Sequence, residues 1–176
     1  HRNVVSGTIQ NNGNDNVTGA GIAIYDAGFI TVTGNVVRGN YIGTDATGTS
    51  SIANFTSGVT VQTTVAGNRN TIGGSNSGEG NVISGNGLTG GFGAGIYVNS
   101  MASPGFSQSN VVAILGNRIG TNATGSVALP NQSSGIYFYQ SPGNVVGGSS
   151  TLDNGQLSGA GNPTAHSSKV TSLVLI

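Results

Sequence analysis

The chain has 176 residues and a formal net charge of zero, with 32 glycines, no cysteine and only five Lys or Arg residues. This length suits one domain. A neutral chain lacks the basic patch that nucleic acid or an anionic membrane surface requires, so we predict neither partner. Without cysteine there is no disulfide framework and no thiolate metal site. No run reaches roughly 18 apolar residues, so we predict no membrane insertion. The abundance of Gly, Asn, Ser and Thr favours turns and β-structure, which makes the expected fold class all-β.

Four segments share the pattern glycine, aliphatic, any residue, aliphatic. They are Gly21–Ile24, Gly58–Val61, Gly95–Val98 and Gly135–Phe138, at spacings of 37, 37 and 40 residues. The alternation predicts four β-strands that each bury one face, with Tyr97 and its equivalents pointing outward. The chain begins within the repeat pattern and carries no leader peptide, so we interpret it as a mature product or a fragment of a longer protein.

A ten-residue segment occurs twice. Residues 40–49 read NYIGTDATGT and residues 117–126 read NRIGTNATGS, with seven of ten positions identical at an offset of 77 residues. Its Gly, Thr and Asp content suits a phosphate or metal loop, but Asn122 replaces Asp45 in the second copy. A loop that depended on the carboxylate would work in only one copy. We therefore interpret the segment as the corner of a repeating coil.

Short aliphatic doublets preceded by asparagine lie between the four strands, for example at residues 3–5, 35–37, 81–83 and 144–146. Two kinds of block of about 37 residues alternate, and we predict that each block forms two coils of about 18–20 residues. The prediction is a single-domain right-handed parallel β-helix, a solenoid of roughly eight or nine coils and about 40 Å long. Asparagines at equivalent corners are expected to stack as a ladder. The competing repeat fold is a β-propeller, whose repeats of about 40–50 residues have longer strands and a Trp-Asp signature, whereas this chain has no Trp.

These motifs resemble those of a known family. The matching stretches are residues 70–74, 80–86, 95–98 and 117–125. With them the chain resembles the right-handed parallel β-helix repeat family of bacterial secreted and cell-surface proteins, over most of residues 1–162. The resemblance implies a solenoid fold and an extracellular or cell-surface location. It implies no particular activity, because that repeat occurs mainly in proteins without an assigned role.

The repeat pattern stops at Pro163, and residues 169–176 form the most apolar run of the chain. We predict β-helix repeats over residues 1–162 and a C-terminal cap or subunit-pairing strand over residues 163–176, because the ends of a solenoid need covering. The residues predicted to carry assembly are Val170, Leu173, Val174, Leu175 and Ile176.

The repeat sets up no catalytic pair from its acidic residues, which are Asp15, Asp26, Asp45, Glu79 and Asp153. Glycoside cleavage needs two carboxyl groups within about 5–10 Å, so we predict no catalytic residues and do not expect an enzyme. Residues 12–16 (NGNDN) form a weak candidate Ca²⁺ loop, but one carboxylate is few for that ion, and we favour a polar corner. His1 and His166 would lie at opposite ends of the rod, so we predict no metal site and no other cofactor.

Outward tyrosines form the candidate ligand-binding site. Tyr97 and Tyr137 share one column of the predicted sheet, two coils or roughly 10 Å apart, and Tyr139 lies in another column. Flat aromatic rings on a β-face stack on sugar rings or on another protein. Tyrosine is also common on exposed strands without any ligand.

The leading functional hypothesis is a structural extracellular β-helix module of a surface protein, an adhesin or a self-assembling fibre. Unpaired strands at the two ends of a solenoid favour end-to-end self-association into filaments. The alternative hypothesis is a secreted β-helix that binds carbohydrate or cleaves polysaccharide.

Overall fold

A computed structural model describes residues 2–9, 19–26, 32–63, 69–88, 93–100, 112–147, 150–153 and 156–159. Within them the chain is all-β, which confirms the predicted class. The strands are β1 (Val4–Val5), β2 (Ile22–Tyr25), β3 (Val36–Val37), β4 (Tyr41–Ile42), β5 (Val59–Thr63), β6 (Asn70–Gly73), β7 (Val82–Ile83), β8 (Ile96–Ser100), β9 (Val112–Leu115), β10 (Arg118–Ile119), β11 (Ile136–Tyr139), β12 (Val145–Val146), β13 (Ser150–Asp153) and β14 (Gln156–Gly159).

Twelve of these strands form three parallel sheets of four strands each. Sheet A has the order β1-β4-β7-β10, sheet B the order β11-β8-β5-β2, and sheet C the order β12-β9-β6-β3. Each pass of the chain visits A, then B, then C, and the next pass stacks in parallel on the previous one. This is the strand arrangement of a solenoid. Strands β13 and β14 pair with each other in an antiparallel hairpin.

The predicted coil count was wrong. Ile22 pairs directly with Val59, and Val59 pairs directly with Ile96, so residues 37 positions apart lie on neighbouring coils. One block of about 37 residues is therefore one coil with three strands, and the described residues form four coils rather than eight or nine. Coil 1 contains β1–β3, coil 2 β4–β6, coil 3 β7–β9 and coil 4 β10–β12. The described residues between these strands form corners, such as residues 43–58 of coil 2, that are longer than the prediction assumed.

The core is a set of aliphatic columns that run along the stack. The inward residues of sheet B are Val59, Val61, Ile96 and Val98, and all four are fully buried. Ile42, Ile83 and Ile119 supply the column from sheet A, while Ile72 and Ile114 supply that from sheet C. The predicted inward positions of sheet B are confirmed. In the first and last coils Ile22, Ile136 and Phe138 are only partly buried.

Asparagine ladders connect the coils, as predicted, and they occur at all three corners. The ladder before sheet A runs through Asn3, Asn40, Asn81 and Asn117, with Nδ2-to-Oδ1 distances of 3.0, 3.1 and 2.8 Å. The ladder before sheet B joins Asn54, Asn86 and Asn131 at 2.9 Å per step. Before sheet C the amide of Asn35 donates to Asn70. Each rung fills the space between coils with satisfied hydrogen bonds, so these buried amides stabilise the stack.

The repeated decapeptide forms a hairpin at the corner between sheets A and B. Antiparallel bridges join Thr44 to Ser51 in coil 2 and Thr121 to Ala128 in coil 4. At the equivalent position in coils 1 and 3, Ser6 and Ser84 donate their hydroxyl groups to the next coil. The two copies of the hairpin therefore lie two coils apart, which accounts for the offset of 77 residues.

Candidate functional site

The predicted tyrosine column exists, but its members are closer together than expected. Tyr97 and Tyr137 are register partners on adjacent strands, with ring centroids 5.7 Å apart and an interplanar angle of 12°. Tyr97 is only 5% exposed, whereas Tyr137 and Tyr139 are 40% and 45% exposed. The prediction of a two-coil separation was wrong because each block is one coil. Tyr137 and Tyr139 are therefore the accessible rings of the predicted site, whereas Tyr97 is the buried member of the stack.

Asn99 adds a polar group that the sequence did not single out. It pairs with Tyr139 on one side and Gln62 on the other, in the column beside the stacked rings. The residue is 8% exposed, and its Oδ1 atom has no hydrogen-bond partner. Buried amide oxygens usually have a partner. This outer face of sheet B thus combines two half-exposed aromatic rings with a buried acceptor.

The acidic residues Glu79 and Asp26 occupy different local settings in the structure. Glu79 makes an exposed ion pair with Arg38 at 2.9 Å and accepts a 3.1 Å hydrogen bond from the Asn76 backbone N–H. The Asn76 hydrogen bonds and the charge of Arg38 hold the pKa of Glu79 below its ordinary value of 4.5. Asp26 is buried directly after β2, and its backbone N–H donates to the Gln62 carbonyl at 3.1 Å. Glu79 therefore belongs to a surface ion pair, whereas Asp26 lies buried at the end of a strand.

The side chain of Asp45 holds the turn of the coil 2 hairpin. Its Oδ1 accepts hydrogen bonds from the Thr47 hydroxyl at 2.9 Å and the Thr49 backbone N–H at 2.9 Å. The hydrogen bond from the Thr49 N–H is the largest effect that holds the pKa of Asp45 below its ordinary value of 3.8. In coil 4 the amide oxygen of Asn122 accepts equivalent bonds from Thr124 and Ser126. The interpretation of the motif as a corner is thereby supported, since the carboxylate in coil 2 and the amide in coil 4 accept equivalent hydrogen bonds.

Several predicted features lie outside the described residues. They are the candidate Ca²⁺ loop at residues 12–16, both histidines, and the assembly residues Val170, Leu173, Val174, Leu175 and Ile176. Among the side chains that are described, no group of three His, Cys, Asp or Glu is placed to hold a metal ion. The same part of the chain contains no helix long and apolar enough to cross a membrane.

The end of coil 4 is the second candidate surface. Val146 continues the sheet C core column below Ile114, yet Val146 is 46% exposed while Ile114 is fully buried. The neighbouring inward residues Ile136 and Phe138 are also only partly buried. Within the described strands β10, β11 and β12 each form the last member of their sheet. In the last described coil, partly exposed apolar side chains therefore lie beside the outer edges of the three sheets.

Glycine at the start of each sheet B strand explains how closely the coils approach. A Cβ atom at Gly21, Gly58 or Gly95 would lie 2.8, 2.8 or 2.6 Å from the carbonyl oxygen of the equivalent glycine in the next coil. None of the three has a positive φ, so steric contact alone excludes a side chain. The sequence showed these glycines as strand starts, but only the coil-to-coil register reveals what they touch.

Comparison of the chain with protein-family models, with curated proteins and with solved structures finds no match.

Proposed function

We propose that this protein is a structural extracellular solenoid, a right-handed parallel β-helix module that assembles end to end as part of a surface protein, adhesin or fibre. The observation that carries the proposal is the exposure of the core column in the last described coil, where Val146 is 46% exposed. Solenoids normally cover such an end. Another coil of the same kind covers it with the least change in geometry. The resemblance of the repeats supports the extracellular setting.

The side chains of the stack also favour a structural role. The buried polar residues of the described coils are mainly Asn, Thr and Ser that bond one coil to the next. Only one ion pair joins the described side chains, and it is on the surface. Low charge lets identical surfaces approach without electrostatic repulsion. A neutral rod with apolar ends is suited to self-association.

Sedimentation velocity and negative-stain electron microscopy of the purified chain over a wide concentration range test this proposal. We expect species that grow with concentration into unbranched rods, because head-to-tail contacts between two different ends do not close. A single monomeric species at every concentration would contradict end-to-end assembly.

Carbohydrate binding is the second candidate function, and the outer face of sheet B favours it. Tyr137 and Tyr139 offer half-exposed rings on adjacent columns of this face. Ring stacking contributes about 0.5–1.5 kcal/mol beyond area burial. Glycan-array binding that falls on Tyr139→Ala, with Tyr25→Ala as the control on the same column of coil 1, would support this function. Absence of binding to any glycan would remove it.

A further inference from the structure

We propose that Asn86 and Gly87 form a self-modifying site, at which the side-chain amide of Asn86 is lost by deamidation when coil 3 opens. The substrate is the chain itself, and the co-reactant is water. The folded stack suppresses the reaction, and the product does not return to the stack. The inference does not depend on end-to-end assembly.

The fold requires both residues of this pair. Asn86 is the middle rung of the ladder before sheet B, where its Nδ2 donates to Asn131 Oδ1 at 2.9 Å and its Oδ1 accepts from Asn54 Nδ2 at 2.9 Å. Gly87 has a φ of +94°, and a Cβ atom there would lie 2.4 Å from the Gly93 Cα. A position that needs an asparagine amide is therefore followed by a position that excludes a side chain.

The residue after an asparagine decides how readily the asparagine deamidates. Glycine is the most reactive neighbour, because it has no Cβ to hinder attack by its backbone nitrogen and because its backbone is flexible. Among the ladder asparagines of the described coils, only Asn86 is followed by glycine. Asn81 of the same coil is followed by Val82, whose branched side chain crowds the nitrogen. The two asparagines therefore differ in reactivity once the coil is open.

The reaction proceeds through a cyclic imide. Hydroxide removes the proton of the Gly87 N–H, and the nitrogen attacks Cγ of Asn86. The new C–N bond closes a succinimide ring while the Cγ–Nδ2 bond breaks, and Nδ2 leaves as ammonia after it takes a proton from water. Water then opens the ring at either carbonyl, which leaves aspartate or isoaspartate at position 86. No oxidant or reductant takes part.

The folded stack opposes the first step in two ways. The Gly87 N–H donates to the Asn54 carbonyl at 3.0 Å, which withholds its proton from base. Asn86 is 1% exposed, and its Nδ2 also donates to the Ile42 carbonyl at 3.2 Å and the Ser84 carbonyl at 3.3 Å. These bonds fix the amide group between two coils, which opposes its movement onto the Gly87 nitrogen. The reaction therefore requires local opening of the ladder.

The product does not fit the position that the amide leaves. Aspartate at position 86 has no side-chain N–H to donate, and its second oxygen would face Asn131 Oδ1 and the carbonyls of Ile42 and Ser84, which are all acceptors. These partners are neutral, so they do not offset the cost of burying a carboxylate charge. Isoaspartate also lengthens the backbone by one methylene group and shifts the register of Gly87. Opening of coil 3 thus becomes a permanent loss of the fold.

Peptide mapping of the intact chain by mass spectrometry, after incubation at mildly alkaline pH in increasing urea, tests the reaction. We expect Asn86 to deamidate at least about a hundredfold more slowly without urea than in the unfolded chain, because the rate scales with the open fraction. The rate should rise with urea in step with unfolding measured by circular dichroism. Asn81, also 1% exposed, is the control and should stay intact over the same time. Equal rates at Asn86 in the folded and unfolded chains, or an unreacted Asn86 in the unfolded chain, would overturn the inference.

The Asn86→Asp variant tests whether the product can rejoin the stack. At pH 7 we expect it to unfold at a much lower urea concentration than the parent. Burial raises the pKa of the new carboxyl above its ordinary value of about 3.9, so the destabilisation is present above that value and fades below it. The difference from the parent should therefore be smaller at pH 3, whereas the control Asn86→Ala should differ from the parent equally at both pH values. An Asn86→Asp chain as stable as the parent at pH 7 would overturn the inference.

The refolding yield connects the modification to the loss of the fold. Chains held in urea at mildly alkaline pH and then diluted should lose the ability to refold at the rate at which Asn86 reacts. The same time in urea at mildly acidic pH, where the Gly87 nitrogen keeps its proton, should leave the yield unchanged. Two further Asn-Gly pairs, at residues 12–13 and 154–155, lie outside the described residues. Loss of refolding that follows either of these pairs while Asn86 is intact, or refolded chains with aspartate at position 86, would overturn the inference.

Discussion

Single asparagine side chains hold each coil to its neighbours. Asn81 accepts from the Asn40 backbone N–H at 3.0 Å and from the Asn40 amide at 3.1 Å, and it donates to Asn117 Oδ1 and to the Val37 carbonyl. It is 1% exposed. The residue thus satisfies buried groups on both adjacent coils, and its loss leaves them without partners.

Replacing Asn81 by alanine should therefore be costly. We expect Asn81→Ala to lower the free energy of unfolding by roughly 3 kcal/mol or more, because each buried group left unsatisfied costs about 1–3 kcal/mol. Asn3→Ala is the matched control, since Asn3 is exposed and ends the same ladder. Its cost should stay below about 1 kcal/mol. Urea denaturation of the two variants measures the difference, and equal costs would show that the ladder does not stabilise the stack.

The hairpins of coils 2 and 4 provide a second comparison at the residue scale, because only one of them titrates. The pKa of Asp45 is lowered by folding, chiefly through the Thr49 N–H. The folded chain therefore binds fewer protons than the unfolded chain around and below pH 3.8, and stability falls as pH drops through the lowered pKa. Asn122 holds the coil 4 hairpin without a charge.

We expect Asp45→Asn to reduce the acid sensitivity of the chain without changing its fold, since Asn122 makes the same contacts. Urea unfolding between pH 2 and pH 6 measures this, and the slope of stability against pH below about 4 should be shallower in the variant. Glu79 retains its own contribution, because its pKa is also lowered. An unchanged slope would mean that the Asp45 hydrogen bonds are not maintained in solution.

At the scale of the elements, the two hairpins touch each other as well as their own coils. Gly48 and Gly125 are equivalent turn residues with φ of +69° and +76°. A Cβ at Gly48 would meet the Ala123 Cβ at 2.7 Å, whereas at Gly125 the nearest atom is the Arg118 Nε at 3.5 Å. Alanine is strained by the positive φ at both sites. The difference in stability between the two alanine variants therefore measures the contact between the hairpins.

We expect Gly48→Ala to destabilise the chain more than Gly125→Ala. Both variants should lose about 1 kcal/mol from the positive φ, and Gly48→Ala should lose a further 1–3 kcal/mol or so from overpacking against coil 4. Thermal and urea unfolding of both variants give the comparison. Equal losses of stability in the two variants would show that the hairpins do not touch in solution.

The elements also show what the sequence could and could not predict. Alternation in Gly95–Val98 correctly predicted the inward and outward faces, because the period of a strand is two residues. The spacing of 37 residues did not reveal the number of coils, since a hairpin corner such as residues 44–51 looks in sequence like another short strand. Tyr97 was predicted on the outer face, but its burial depends on what covers that face, which a local pattern does not contain.

The functional surfaces were only partly predictable for the same reason. The tyrosines were visible as residues, while Asn99 gave no signal because only its neighbours in three dimensions leave its oxygen without a partner. The glycine column was visible too. Its role followed from the register, which sets the distance between Gly95 and the Gly135 carbonyl. Sequence patterns predict the fold class and the faces of strands, and contacts between coils determine the candidate sites.

For the whole molecule, the proposed assembly makes the described coils part of a longer rod. Each coil adds about 4.8 Å, the spacing of neighbouring strands. If the molecules stack end to end, the four described coils of each one lengthen the rod by about 19 Å.

The axial rise of the assembled rods tests this most directly, by cryo-electron microscopy or fibre diffraction. We predict a rise of at least about 19 Å per molecule, which is the four described coils at the strand spacing, with a strong reflection near 4.8 Å along the rod axis. A rise below about 19 Å, or rods whose strands do not stack along the axis, would contradict it.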